Sequence, residues 1–309
     1  MNKIAIIQDE PTFGNLELSI QRTIEYIEIA GKAGAKLIVF GETWLGGYPA
    51  WIDVCPDVAK WQHPSVLEAW QSIYENGLEI PSNNLDLICE VAANHQIVVV
   101  MGINEVVKTG KGNSTIYNSI ITIDKNGKLA NHHRKLMPTF NEKLIYGQGD
   151  GYGLKAIDTD FGRLGSLICW EHWMPMTRQA MHDESEDIHI ALWPSVKKAH
   201  QIASQNYAFE GRCAVIAVGQ IVKVGDIPAG LKLPKQLKKM PNALLCNGGS
   251  CVIDPDAEFI LEPQFDKKGI FYVNLPNQKE WIKYKMTLSV SGHYQRHDIF
   301  KYSINKERY

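Results

Sequence analysis

A thiol attacks carbon as its thiolate, so a reactive cysteine needs a base or a cation beside it. Cys169 is placed for such work. It closes the largely apolar run Leu164 to Ile168, and Trp170, Glu171 and His172 follow at once. A strand that ends on a thiol delivers it where open α/β sheets bind their ligands. Two other strand exits offer the partners. Glu42 ends Leu37-Ile38-Val39-Phe40-Gly41-Glu42, and Lys135 lies in Arg134-Lys135-Leu136-Met137-Pro138-Thr139. A carboxylate can take the thiol proton, and a fixed ammonium can face negative charge that builds on a substrate. Each residue alone has a commoner structural role, as packing, cap or surface charge. Three separate strand exits supplying the three roles of one reaction outweigh that.

The elements that must position them alternate along the chain. Lys3 to Gln8 reads as a strand, and Asn15 to Gly34 as an amphipathic helix with Ile20, Ile24, Ile27 and Ala30 on one face. Leu37 to Phe40 is a short buried strand. Ser82 is the N-cap candidate of a helix running to His95. Strands follow at Ile97 to Ile103 and Ile116 to Asp124, and Asn126-Gly127 marks a hairpin turn. The second half repeats the pattern. Strands are expected at Leu154 to Asp160, Arg163 to Cys169, Ile188 to Trp193, Ala214 to Gln220, Gly248 to Ile253 and Ile270 to Val273. Helices are expected at Met174 to Asp183 and Ala199 to Arg212. Residues 224–247 have no clear period and read as a long loop. Alternating strands and helices define an α/β layer fold.

The chain has 309 residues, 45% of them hydrophobic, enough for one large domain with a sizeable core. A net charge of −2 gives no general pull toward nucleic acid or anionic membrane. Lys232, Lys235, Lys238 and Lys239 read as a solvated loop face. No apolar run reaches the ~20 residues of a membrane span, and the N-terminus lacks a signal-peptide pattern, so a cytoplasmic location is expected. The six cysteines form no CxxC pair and no zinc spacing, and no metal or other cofactor is expected. Gly147-Gln148-Gly149-Asp150-Gly151 precedes a strand and lacks the third glycine of a dinucleotide loop, so it reads as a turn.

Three segments, in order, resemble the nitrilase superfamily of carbon-nitrogen hydrolases. Gly41-Glu42-Thr43-Trp44-Leu45-Gly46-Gly47-Tyr48-Pro49 looks like the family's glutamate segment, Arg134 to Thr139 like its lysine segment, and Cys169-Trp170-Glu171 like the cysteine turn of its true nitrilase branch. The resemblance implies a four-layer α-β-β-α sandwich over residues 1–286, with 287–309 as a C-terminal tail that wraps the subunit or forms an interface. It implies a Glu42, Lys135, Cys169 triad, with Glu142 supporting the lysine or the hydrolytic water. Lys143 and Tyr146 depart from the arginine and tryptophan usual in that segment. The implied reaction converts a small organic nitrile to a carboxylic acid and ammonia through a thioimidate and a thioester. The implied assembly is a homo-oligomer, a dimer or larger.

Several readings stay open. The same triad can run an amidase or carbamoylase, or hydrolyse cyanide, and a catalytically silent member could be a binding or scaffold protein. A Cys, His, Glu enzyme would instead use His172 as base. Tyr48, Trp51, Trp170 and Trp193, with Trp44, are expected to wall an apolar substrate pocket, and the Trp170 N–H to help bind a developing anion.

Overall fold

The computed structural model describes residues 2–308. The strand Asn2–Gln8 sets the layering through its period of two. Ile4 and Ile6 point one way, into a cluster with Leu164, Leu167, Ile190 and Ile216 of a second sheet. Ala5 and Ile7 point the other way, onto Ile20, Ile27, Ile88 and Ala92 of two outer helices. The outer helices of the first sheet are Leu16–Lys32, capped by Asn15, and Asn83–His95, capped by Ser82. Pro175–His182 and Lys198–Gly211 cover the second sheet and place Met181, Ala203 and Tyr207 in the shared core. The result is the expected helix–sheet–sheet–helix sandwich.

Three parallel strands lead to the site from the first sheet: Asn2–Gln8, Leu37–Val39 and Val98–Val107. Thr115–Ile123 and Leu129–Arg134 extend that sheet antiparallel in turn. Leu129–Arg134 therefore runs in the direction of Leu37–Val39, and Glu42 and Lys135 leave the sheet at the same end. In the second sheet Gly162–Ile168, Ile188–Leu192 and Ala214–Val218 are parallel, and Cys169 follows the first of them. Both sheets are extended by antiparallel strands, Gly269–Leu275 beside Asn2–Gln8 and Leu244–Ile253 beside Ala214–Val218.

The sequence reading assigns no element to the helix Pro64–Glu75 or the strand Phe259–Phe265. Pro64 opens its helix rather than breaking it, because proline at the first helical position loses no internal hydrogen bond. The expected loop at 224–247 holds a short helix, Lys235–Lys238, and the start of the strand Leu244–Ile253. The segment after Met286 folds back over its own chain. Gln295 donates to Asp183 at 3.2 Å, Lys306 pairs with Glu184 at 2.6 Å, and Arg308 donates to the His132 carbonyl at 2.5 Å.

Candidate active site

Glu42 lies three residues past Val39, the end of the strand Leu37–Val39, and its side chain is fully buried. Its backbone is pressed against Gly102 of the neighbouring strand, where a Cβ would sit 2.4 Å from the Thr43 nitrogen. Only glycine permits that approach. Oε1 of Glu42 accepts from Asn118 Nδ2 at 2.7 Å and from Lys135 Nζ at 3.3 Å. Its Oε2 is buried without a hydrogen-bond partner among the described residues. Burial raises the Glu42 carboxyl to about 7, with Glu142 adding to the rise while Lys135 and Asn118 oppose it.

Lys135 is equally buried and bridges two acids. Its Nζ lies 2.7 Å from Glu142 Oε2 as well as 3.3 Å from Glu42 Oε1. Burial works against its charge, but Cys169, Glu42 and Glu142 outweigh burial and hold the ammonium well above the usual lysine range. Glu142 is fixed in turn by the Thr139 N–H at 2.8 Å and by the Tyr48 hydroxyl, which donates to Oε1 at 3.0 Å. The departure at Tyr146 has a function in the local packing: its hydroxyl donates to Asn104 at 2.7 Å, and Asn104 holds the Gly47 carbonyl near Tyr48.

Cys169 opens a tight 3₁₀ turn, Cys169–Trp173, with φ at +51°. A non-glycine residue in that region is strained and persists only where the surroundings impose it. Burial pushes its thiol well above the ordinary value; Glu42 and Glu142 push further, while Lys135 and the Trp170 N–H oppose them. Burial thus favours the neutral thiol, and the Glu42 carboxyl is near enough to act on it electrostatically. Cys169 and Glu142 line one cavity of about 480 Å³ together with Tyr48, Trp170 and Phe140.

Glu171 ties the two sheets together at this point. Its Oε1 accepts from the Leu136 N–H and its Oε2 from the Ile168 N–H, both at 2.8 Å, and His133 Nε2 lies 3.0 Å from each oxygen. Burial alone would raise this carboxyl, but His133 and the two N–H groups hold it below its usual value. The residues flanking the thiol and the ammonium are thus locked to one buried anion. Sequence reasoning missed the roles of Glu171, Asn118 and Gln220, whose Nε2 holds the Glu42 carbonyl at 2.7 Å. A polar residue inside an apolar strand, as in Tyr117-Asn118-Ser119-Ile120, was the available signal for Asn118. Glu171 was marked only as part of the Cys169-Trp170-Glu171 segment, which gave no hint of its bonds to Leu136 and Ile168.

The expected aromatic wall is corrected in part. Tyr48 and Trp170 line the cavity, but Trp51 and Trp193 do not. Trp51 packs with Ile52, Cys55, Val106 and Ile116. In the short helix Trp51–Val54 each residue turns ~100°, so Asp53 faces the cavity while Trp51 faces the core. Trp193 is fully buried and stacks on His200, which itself reaches the cavity. Trp44 donates to Thr23 in the outer core at 2.8 Å. The cavity is also not simply apolar: Asp53, Asn141, Lys197 and His200 line it beside Val54 and Leu245. His172 cannot serve the sulfur as base, because Nδ1 meets the Cys169 carbonyl at 2.7 Å and Nε2 meets His189 at 3.0 Å. Among the described residues no cluster of His, Cys, Asp and Glu could hold a metal ion.

The site is thus a carboxylate, an ammonium and a thiol buried at the strand exits of a two-sheet α/β sandwich. The model of the carbon-nitrogen hydrolase family matches residues 3–283, and the chain belongs to that family, the nitrilase superfamily. It is a hydrolase acting on carbon–nitrogen bonds. It is 32% identical to a cyanide hydratase of Stereum hirsutum, over 99% of this chain and 84% of the relative. It is 31% identical to an aliphatic nitrilase of Rhodococcus rhodochrous, over 98% of this chain and 79% of the relative. Its fold is similar to that of a carbon-nitrogen hydrolase from Helicobacter pylori G27, with a TM-score of 0.70 at 20% identity over 96% of both chains.

Proposed function

We propose that this hydrolase is a nitrilase acting on small organic nitriles, with Cys169 as nucleophile, Glu42 as general base, Lys135 as the stabilising cation and Glu142 as its support. The observation that carries the reading is the Lys135 ammonium held between Glu42 and Glu142 beside the cavity that Cys169 lines. Full-length similarity to proteins named nitrilase and cyanide hydratase supports it.

The unpartnered Oε2 of Glu42 takes the thiol proton as sulfur attacks the nitrile carbon. One C–N π bond becomes a C–S bond, the nitrogen takes up the proton, and a thioimidate results. Lys135 and the Trp170 N–H face the charge that builds on nitrogen during attack. Water then adds to the same carbon. Cleavage of C–N releases ammonia and leaves a thioester, which a second water converts to the acid. Cleavage of C–S at that stage would release an amide, the outcome of a hydratase.

A cavity of about 480 Å³ is far larger than hydrogen cyanide requires, which favours an organic nitrile over cyanide. Asp53 and Lys197 on its wall favour substrates with a polar group remote from the C≡N. We further infer a cytoplasmic homo-oligomer. All six cysteines are free thiols, as a reducing compartment favours. Met176, Ile202 and Phe209 are exposed on the outer helices of the second sheet.

A panel of nitriles with matched amides, assayed for ammonia, acid and amide, tests the reaction. Equal yields of ammonia and acid from a nitrile are expected. Faster turnover of the matched amide, or amide as sole product, would overturn the assignment.

A further inference from the structure

Behind the Cys169 turn lies a fully buried polar chain, none of whose members lines the cavity. Tyr207 of the helix Lys198–Gly211 meets Glu186 Oε2 at 2.5 Å. Glu186 Oε1 meets His189 Nδ1 at 2.7 Å, His189 Nε2 meets His172 Nε2 at 3.0 Å, and His172 Nδ1 meets the Cys169 carbonyl at 2.7 Å. The strand residue Gly165 makes room for this carboxyl, since a Cβ there would sit 1.6 Å from Oε1.

The direction of the chain follows from its ends. A carbonyl can only accept, so His172 carries its proton on Nδ1. With neutral imidazoles, Nε2 of His172 must accept, so His189 donates from Nε2 and accepts at Nδ1. Glu186 must then donate, which makes it a neutral acid with its proton on Oε1. Its Oε2 is left to accept from Tyr207, as observed. Every bond points toward Cys169.

We propose that Glu186 is a positioning residue for the Cys169 reaction: as a neutral acid it completes a one-way hydrogen-bond chain, through His189 and His172, that fixes the Cys169–Trp170 peptide. That peptide is planar, so gripping its carbonyl also aims the Trp170 N–H at its other edge, the group facing the sulfur. The grip also explains how a non-glycine residue holds φ at +51°. Burial raises the Glu186 acid to about 8, in keeping with a proton held at neutral pH. Burial likewise lowers His172 to about 3 and His189 well below its usual range. The titratable groups around Glu186 are His189, Tyr207, His182 of the helix Pro175–His182, Cys213, and more distantly Glu184 and Arg163. Removing one proton leaves two protons for the three contacts between Glu186 and the Cys169 carbonyl, so one contact must open.

The inference rests on Cys169 being the nucleophile, and its test separates the two claims. Glu186→Gln keeps a donor toward His189 and an acceptor toward Tyr207, but cannot ionise. Wild type is expected to lose kcat in alkali near pH 8; Glu186→Gln should keep kcat at pH 7 within ~3-fold and lose that decline. Glu186→Leu should lower kcat ~10–100-fold with KM little changed, the loss expected when a supporting contact behind a reactive group is removed. Thermal stability is followed in a Cys169→Ala background, where turnover is irrelevant. There the protein with its native Glu186 should lose stability as pH rises from about 5 to about 8, and the protein that also carries Glu186→Gln should lose distinctly less, keeping only the part that Glu42 contributes up to about pH 7. If Glu186→Gln falls as far as Glu186→Leu, fails to fold, or keeps the wild-type alkaline limb, the neutral-acid chain is wrong. If Cys169→Ala itself retains turnover, the nucleophile assignment falls while the stability comparison still decides the state of Glu186.

Discussion

Asn118 donates to Oε1 of Glu42 at 2.7 Å and leaves Oε2 of the same carboxylate as its unpartnered, buried oxygen. The amide therefore selects which oxygen faces the chemistry, and it also favours the charged form. Glu42 titrates at about 7 because burial raises it. As a base it must be ionised, so kcat/KM should rise with pH through about 7. In Asn118→Leu that rise should move to higher pH, with ~10-fold less activity at neutral pH and recovery in alkali. A pH–rate profile checks this, and an unmoved acid limb would show that Asn118 does not tune the base. The stability sign is opposite. A carboxyl raised above its ordinary 4.5 protects the fold at low pH and loses that contribution as pH climbs toward 7.

Lys135 is the shared cation of two buried acids. Lys135→Met should reduce kcat by ~100–1000-fold. It should also leave Glu42 and Glu142 facing each other uncompensated, at a cost of ~3–5 kcal/mol at neutral pH. One acid can escape that cost by taking a proton. The variant should therefore be least destabilised below about pH 5 and progressively more so as pH rises. Denaturation midpoints across pH measure it; a pH-independent loss would mean that the two acids do not share the cation as described.

Much of this candidate site was legible because the three groups proposed to react sit at strand exits. At two of them a largely apolar run stops on a charged or thiol side chain, as at Phe40-Gly41-Glu42 and Ile168-Cys169; the run before Lys135 is polar, and its signal was the family resemblance. The contacts that hold them were not legible. Asn118 reaches Glu42 from another strand of the same sheet 76 residues away, Glu171 acts across the two sheets, and Gln220 reaches Glu42 across 178 residues of chain; local periodicity carries no information about such partners. The aromatic residues misled for a related reason. Trp51 and Asp53 are two residues apart, yet about half a helical turn sends them to core and cavity, and size alone favours the tryptophan. Alternation of strands and helices indicated only an α/β fold, and the four layers were implied by the family resemblance; Ile4, Ala5, Ile6 and Ile7 are all apolar, so which of them faces the second sheet shows only in the structure.

Selectivity should follow the charged wall rather than Trp51. Lys197→Met and Asp53→Asn should each change the ranking of nitriles carrying carboxylate or ammonium groups by ~10-fold in kcat/KM, with small effects on uncharged ones. Trp51→Ala should instead act on stability, by ~3–5 kcal/mol, as a large core residue does. Kinetics on charged and neutral nitrile pairs, with a melting curve for Trp51→Ala, tests both. A ranking that shifts for Trp51 and not for Lys197 or Asp53 would restore the aromatic-wall view.

Exposed Met176, Ile202 and Phe209 on neighbouring outer helices predict self-association through that face. Light scattering at micromolar concentration should report a dimer or larger, and Ile202→Glu with Phe209→Glu should shift it to smaller species. A monomeric wild type would reject the assembly.

The proposed reaction turns on a covalent bond to Cys169, which intact-mass spectrometry of the protein mixed with a slowly turned-over nitrile can detect. An adduct mapped to Cys169 and absent in Cys169→Ala is expected, together with a loss of turnover of at least ~1000-fold in that variant. Turnover retained by Cys169→Ala, or an adduct confined to Cys55 or Cys246, would contradict it.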